Sequence, residues 1–303
     1  MTLCILEYVG NRYPLGRELE FILDTAYSFS DIVPLPTLPK ITATIDDKDK
    51  FDRYQIFLEE IIHFLRSNKH KKPIMGIVPR LAYGFVANLV EFYIDEGLNA
   101  FYVDFEARNP TTFKQNLLPV FRTLTQHDMA GKSFVYAHNV DAGRIIKASD
   151  VVNAKDILSF GFGFDAMGRR HKGRRMPTHV RQRLNTLPNR LRLFSKNDYG
   201  YYRILNPTKI REIYPSDSSI PINKLSRGLS VNIAEIRRYE KLFNTEQLGL
   251  EAFRIRQIVK EFIPTQYLAT KEHVNKKHIK IMKRFKGDIS KRKLDQKSLL
   301  DIF

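Results

Sequence analysis

Between Pro73 and Phe164 the chain alternates short apolar runs with amphipathic segments of helix length, and that alternation is the strongest constraint on the fold. Pro73–Val78, Ala100–Phe105, Ser133–Ala137 and Ile157–Phe164 are dominated by branched and aromatic residues, the pattern of strands buried on both faces of a parallel sheet. Leu81–Glu96 places Ala82, Phe85, Val86, Leu89, Val90 and Tyr93 on one helical face and stops at Gly97. Asn109-Pro110 supplies an N-cap and a first-turn proline for a helix to about Leu124, with a kink expected at Pro119. Asp141–Val152 is the third helix expected between these strands. Parallel neighbours need a crossover of helix length, so the units predict a mainly parallel sheet. The expected fold class is α/β, a TIM-like (β/α) barrel, closed or incomplete, with a basic C-terminal extension.

Upstream, Thr2–Val9 is expected as a short strand with Glu7 near its end, and Gly16–Phe29 as a helix. Prolines 34, 36 and 39 limit any strand in Asp31–Leu38, and an acid-rich start at Asp46 leads into a helix through Phe64. After Asp165 the regularity fails. Leu191–Phe194 and Tyr199–Leu205 read as short strands or a hairpin, and Asn244–Phe262 as a helix with Asn244 and Gln247 at capping-box spacing. The expected division is a barrel core with its basic loop over residues 1–205, an irregular segment and closing helix over 206–265, and a basic tail over 266–303.

Charge separates the partner classes. Net charge is +17, and residues 169–192 hold nine Arg or Lys and no acid, which suits a polyanion such as DNA or tRNA. The tail from Lys271 to Lys297 adds eleven cations against three acids. A single Cys4 excludes an internal disulfide and any site built from several thiolates, so a cytoplasmic protein is expected. No apolar run approaches the roughly 20 residues of a membrane span.

The order of elements resembles the catalytic barrel of the tRNA-guanine transglycosylase family, including its DNA-modifying relatives that insert 7-deazaguanine bases. The resemblance is carried by SDIVPLPTLP, PIMGIVP, LVEFYIDEGLNAFYVDFEARNPTTF, SFVYAHNVDAGRII, FGFDAMGRRHKGRR and FNTEQLGLEAFRIRQIVKE. It implies a pentosyltransferase that exchanges a guanine-type base in a polynucleotide through a covalent aspartyl-ribose intermediate, with Asp165 as nucleophile. The family's zinc cluster has no counterpart, so neither a metal nor another cofactor is implied. Its acid/base loop falls opposite Cys4–Asn11, where Glu7 is the nearest carboxylate.

Candidate site residues follow from strand ends, where (β/α) enzymes place their chemistry. Asp165, Glu7 and Asp104 are the catalytic candidates; Glu106, His138, Asn139 and Arg80 would line a substrate site at one sheet edge. Arg169, Arg170, Lys172, Arg174 and Arg175 are the expected phosphate contacts. Tyr199, Tyr201 and Tyr202 either stack on bases or form a small β-layer core. Two other functions stay open: a noncatalytic nucleic-acid-binding barrel or subunit of a base-modification complex, and a barrel enzyme for a small phosphorylated metabolite. A homodimer or a partner subunit is compatible with either.

Overall fold

The computed structural model describes residues 2–67, 71–141, 150–169, 191–228, 233–260 and 264–300. In chain order the elements are α1 (Arg17–Phe29), β1 (Val33–Pro34), α2 (Pro39–Thr42), α3 (Lys48–Ser67), β2 (Ile74–Val78), α4 (Tyr83–Asp95), β3 (Ala100–Asp104), α5 (Pro110–Gln126), β4 (Phe134–Val140), β5 (Val151–Asn153), α6 (Leu158–Phe162) and β6 (Ala166–Arg169). Then follow β7 (Leu191–Ser195), β8 (Gly200–Ile204), α7 (Pro207–Ile213), α8 (Ile222–Gly228), α9 (Ile233–Lys260), α10 (Pro264–Ala269) and α11 (Lys276–Leu300). Two compact units result: Met1–Val140 with Gly163–Gly168 and Arg284–Phe303, and Asp141–Phe162 with Arg169–Lys283.

The first unit is the expected α/β architecture, an incomplete (β/α) barrel whose five-stranded sheet has the order β1-β2-β3-β4-β6. β1 through β4 pair parallel, with Ile77 opposite Tyr102 and Tyr102 opposite Tyr136. Register sorts the two faces. Phe101 meets the ring of Tyr93 in α4, and Phe105 meets that of Phe113 in α5, so these residues face the helices. Tyr102, Tyr136 and His138 share the opposite face, where the Tyr102 and His138 rings meet edge to face with centroids 5.9 Å apart. Burying apolar side chains on both faces is what makes these strands read as continuous apolar runs. Asn109 caps α5, its side chain accepting from the Thr112 N–H at 3.2 Å, and Pro119 lies inside that helix.

Three sequence expectations are corrected here. Residues 157–164 are not a strand. The Ser159 N–H returns to the Asp156 carbonyl, α6 occupies Leu158–Phe162, and Gly163 ends it at φ 109°. A short apolar run bounded by glycine fits a buried helix as well as a strand, so periodicity could not decide. Thr2–Val9 contributes one bridge, Glu7 to Thr37, instead of a strand. Asn244 does not cap a helix: it lies within α9, where its side chain accepts from the Phe194 N–H at 2.7 Å and donates to the Arg192 carbonyl at 2.7 Å. The long helix begins earlier and uses this asparagine to clamp β7. Of the expected Asp141–Val152 helix, residues 142–149 lie outside the described ones, and Val151 and Val152 belong to β5.

The second unit holds the antiparallel sheet β5-β8-β7, with Leu193 opposite Tyr202 and Ser195 opposite Gly200. Leu191, Leu193, Ile204, Ile210, Leu225 and Phe243 form an apolar cluster. Beside the apolar residues the unit buries charge. Glu251 of α9 accepts from the hydroxyls of Tyr199 and Tyr267, both at 2.6 Å, while the Lys271 ammonium sits 3.9 Å away and donates to the Lys196 carbonyl at 2.8 Å. Burial lowers the Lys271 pKa, and the rings of Tyr199 and Tyr267 at 5.0 and 4.4 Å from its nitrogen replace part of its lost hydration. Tyr199 and Tyr201 are fully buried, which places them in the β-layer core rather than on a base-stacking surface.

Candidate functional site

The C-terminal ends of β3 and β4 bring four sequence-selected residues together. Asp104 closes β3 directly opposite His138 of β4. Its Oδ1 accepts from the Asn139 amide at 3.2 Å and from the Glu106 N–H at 2.9 Å, while Oδ2 carries no hydrogen bond to a described residue. Pairing then continues past the strand end, from the Phe105 N–H to the His138 carbonyl and from the Ala107 N–H to the Asn139 carbonyl. To allow this the backbone turns left-handed at Glu106, Ala107 and Asn139, with φ of 48°, 60° and 58°. Non-glycine residues in that region cost about 1–3 kcal/mol each and gather at sites that hold a ligand.

Electrostatics tie Arg80 to the same edge. Glu106 lies 3.8 Å from the Arg80 guanidinium, which follows β2, and 3.4 Å from that of Arg108. The Asn139 Oδ1, buried at atom level, has no hydrogen-bond partner among the described residues, so the edge keeps an unused acceptor beside an unused carboxylate oxygen. The His138 ring neighbours those of Tyr102 and Tyr136, and the Tyr102 hydroxyl donates to the Leu35 carbonyl. Burial, then the nearness of Tyr54 and Asp104, pushes the Tyr102 pKa well up, so this hydroxyl stays protonated. Arg108 and the two tyrosines were missed from sequence. Arg108 sits only two residues past Glu106, and Tyr102 two before Asp104 on the same strand face.

Beside this edge lies an open depression of about 480 Å³, bounded by Arg80, Leu81 and Tyr83 on one side and by Gln115, Asn116 and Leu118 on the other. Arg80 therefore borders both features. Asn116 donates to the Leu81 carbonyl at 3.0 Å, fixing the floor, and the Tyr83 hydroxyl accepts from Arg122 at 2.6 Å.

Two expected catalytic residues are not part of the cluster. Asp165 does not sit at the C-terminal end of a strand. Its N–H donates to the Val135 carbonyl and its Oδ2 accepts from the Val135 N–H, both at 2.8 Å, which places it beside the start of β4 and away from Asp104 and His138. Glu7, bridged to Thr37 beyond the end of β1, lies outside the strands of the sheet. The side chain of Arg169 and all of Arg170, Lys172, Arg174 and Arg175 lie outside the described residues. Among the described residues no helix is long and apolar enough to cross a membrane.

No protein-family model and no curated protein matches the chain. Among solved structures, it is similar to a dihydrodipicolinate synthetase-type protein from Pseudomonas aeruginosa, with 12% identity, a TM-score of 0.35, and 95% of this chain and 99% of that one covered. It is also similar to dihydrodipicolinate synthase from Aquifex aeolicus, with 10% identity, a TM-score of 0.35, and coverage of 97% and 99%. The placement of Asp165 beside Val135 removes the residue on which the resemblance to the tRNA-guanine transglycosylase family turned. The expectations of base exchange, of a 7-deazaguanine substrate and of tRNA or DNA modification, with its noncatalytic variant, are withdrawn accordingly.

Proposed function

We propose that the strand-end cluster is the active site of an enzyme that moves a proton on a small, acid-bearing substrate. One observation carries this reading: Asp104 and His138 stand side by side at the C-terminal edge of a parallel sheet, framed by three left-handed non-glycine residues. General acid/base chemistry needs two titratable groups within reach of one substrate atom and a means of holding that atom still. The free Oδ2 of Asp104 is the base. His138, its register partner, donates a second proton to the substrate, and exchange with solvent takes the proton from Asp104 and restores the one lost by His138. Asn139 and the Glu106 backbone fix the Asp104 carboxylate through its other oxygen. Arg80, which shares Glu106 with Arg108 in the free protein, supplies the guanidinium group that binds the substrate's acid. Small acids, including phosphorylated ones, are the substrate class this arrangement suits.

The test is a thermal-shift screen against small carboxylates and phosphate esters, followed by proton NMR of each hit in deuterium oxide. A stabilising compound should gain deuterium at one carbon position with wild-type protein and not with Asp104→Asn or His138→Gln. If no small acid both stabilises the protein and exchanges a proton, the reading is wrong.

A further inference from the structure

The depression next to Arg80 has a composition that selects charge. None of the side chains lining it is acidic, although Asp104 and Glu106 stand at the neighbouring strand end. What it offers instead are donors. Arg80 contributes a guanidinium whose contact with Glu106 is loose at 3.8 Å and whose side chain is half exposed. Tyr83 accepts from Arg122, so its own hydroxyl proton points elsewhere, and the Arg122 cation behind it makes that proton a better donor. Arg122 cannot swing in to compete, because its guanidinium also donates to the Asp288 carbonyl at 3.1 and 3.3 Å. Gln115 is exposed at the rim and adds an amide. Leu81 and Leu118 supply apolar wall but no acceptor.

We propose that this depression is an oxyanion subsite, which takes the carboxylate or phosphate of the substrate while the reacting atom lies at Asp104 and His138. The assignment rests on the strand-end reading above and adds the position and class of the anchoring group. On binding, Arg80 exchanges its Glu106 contact for the anion, and Arg108 remains to hold Glu106. The substrate is thus an elongated acid whose anionic end is separated from its reacting atom, with a short apolar stem against Leu81 and Leu118. A depression of this volume lies within the range of small-molecule sites.

Isothermal titration of the full chain with inorganic phosphate and, separately, with malonate tests the subsite. One anion should bind with one-to-one stoichiometry; the preferred anion identifies the source, phosphate ester or carboxylic acid. Arg80→Gln should weaken it by about 10-fold or more and Tyr83→Phe by about 3-fold, the usual scale for losing a charge-assisted and a neutral donor. Arg80→Lys should restore part of the loss. Unchanged affinity in folded Arg80→Gln and Tyr83→Phe proteins, or no binding of either anion to wild type at about 10 mM, overturns the subsite; the weakest affinity of interest there corresponds to only about 3 kcal/mol. Anion binding lost in Arg80→Gln, in a protein that exchanges no substrate proton, overturns the chemistry at Asp104 and leaves the subsite in place.

Discussion

Asp165 and Val135 hold each other in both directions: the Asp165 N–H donates to the Val135 carbonyl, and the Val135 N–H donates to the Asp165 carboxylate, each at 2.8 Å. The carboxylate thus stands in for a backbone carbonyl just where β6 is about to begin beside β4. Asp165→Ala leaves a part-buried N–H unsatisfied and should cost about 1–3 kcal/mol, whereas Asp165→Asn, which keeps an acceptor oxygen, should cost less. Urea unfolding of the two variants measures the order. Equal stability of Asp165→Ala and wild type would show that the carboxylate does not serve β4.

Gly168 lies against the Tyr136 side chain so closely that a Cβ there would meet the hydroxyl at 1.8 Å. Gly168→Ala should therefore destabilise by about 1–3 kcal/mol through overpacking. Adding Tyr136→Phe, which removes the atom in the way, should recover part of that loss. A double mutant no more stable than Gly168→Ala alone would place the strain in the backbone instead.

Alkaline pH should unfold the protein through its buried tyrosines. Burial raises the pKa of Tyr93, Tyr102 and Tyr199 above the ordinary value of 10.0. Their folded-state pKa values exceed the unfolded ones, so the stability they contribute is complete below pH 10 and lost as pH rises toward the folded values. Each tyrosine adds a slope of about 1.4 kcal/mol per pH unit above pH 10. Denaturation midpoints at pH 9, 10 and 11 should fall more steeply for wild type than for Tyr102→Phe. Parallel curves would mean that Tyr102 ionises as freely in the folded protein as in the unfolded chain.

The Glu251 network should respond unequally to its two charges. Glu251→Leu strands a buried Lys271 and two tyrosine hydroxyls, and should cost about 3–5 kcal/mol, the scale of an uncompensated buried charge. Lys271→Met removes an ammonium that burial already disfavours and leaves Glu251 its two hydroxyl donors, so the cost should be smaller. Thermal unfolding of both variants gives the ratio; a larger loss for Lys271→Met would reverse the assignment of Glu251 as the centre.

Strands β2, β3 and β4 were legible because burial on both faces leaves an unmistakable apolar run, and helices α4 and α5 because the stop of the one, Gly97, and the start of the other, Asn109-Pro110, have local physical causes. That Asp104, Glu106, His138, Asn139 and Arg80 share one sheet edge was legible for the same reason: once the strands are placed, so are their ends. Asp165 was misplaced because glycine-spaced aromatic residues pack equally well as a buried helical turn, and the deciding contacts, Asp156 to Ser159 and Gly161 against Met282 and Leu268, come from outside the run. Asn244 misled for a related reason. Capping-box spacing marks a helix start only when the preceding residues cannot be helical, and Ile233–Phe243 can.

The N-terminal segment is stitched along Ser30–Thr37 by a handful of bonds: Thr2 with Asp31, Cys4 with Ser30, and Leu6 and Tyr8 with Thr37. It flanks β1, whose regular ladder to β2 is two residues long, while β3 is bonded along its length on both sides. Amide hydrogens should record this gradient. Exchange with solvent deuterium should be fast at Tyr8 and Thr37, slower at Val33 and Leu35, and slowest at Tyr102 and Val103, so that the sheet loosens from its first strand inward and the Asp104 edge is the last part of it to open.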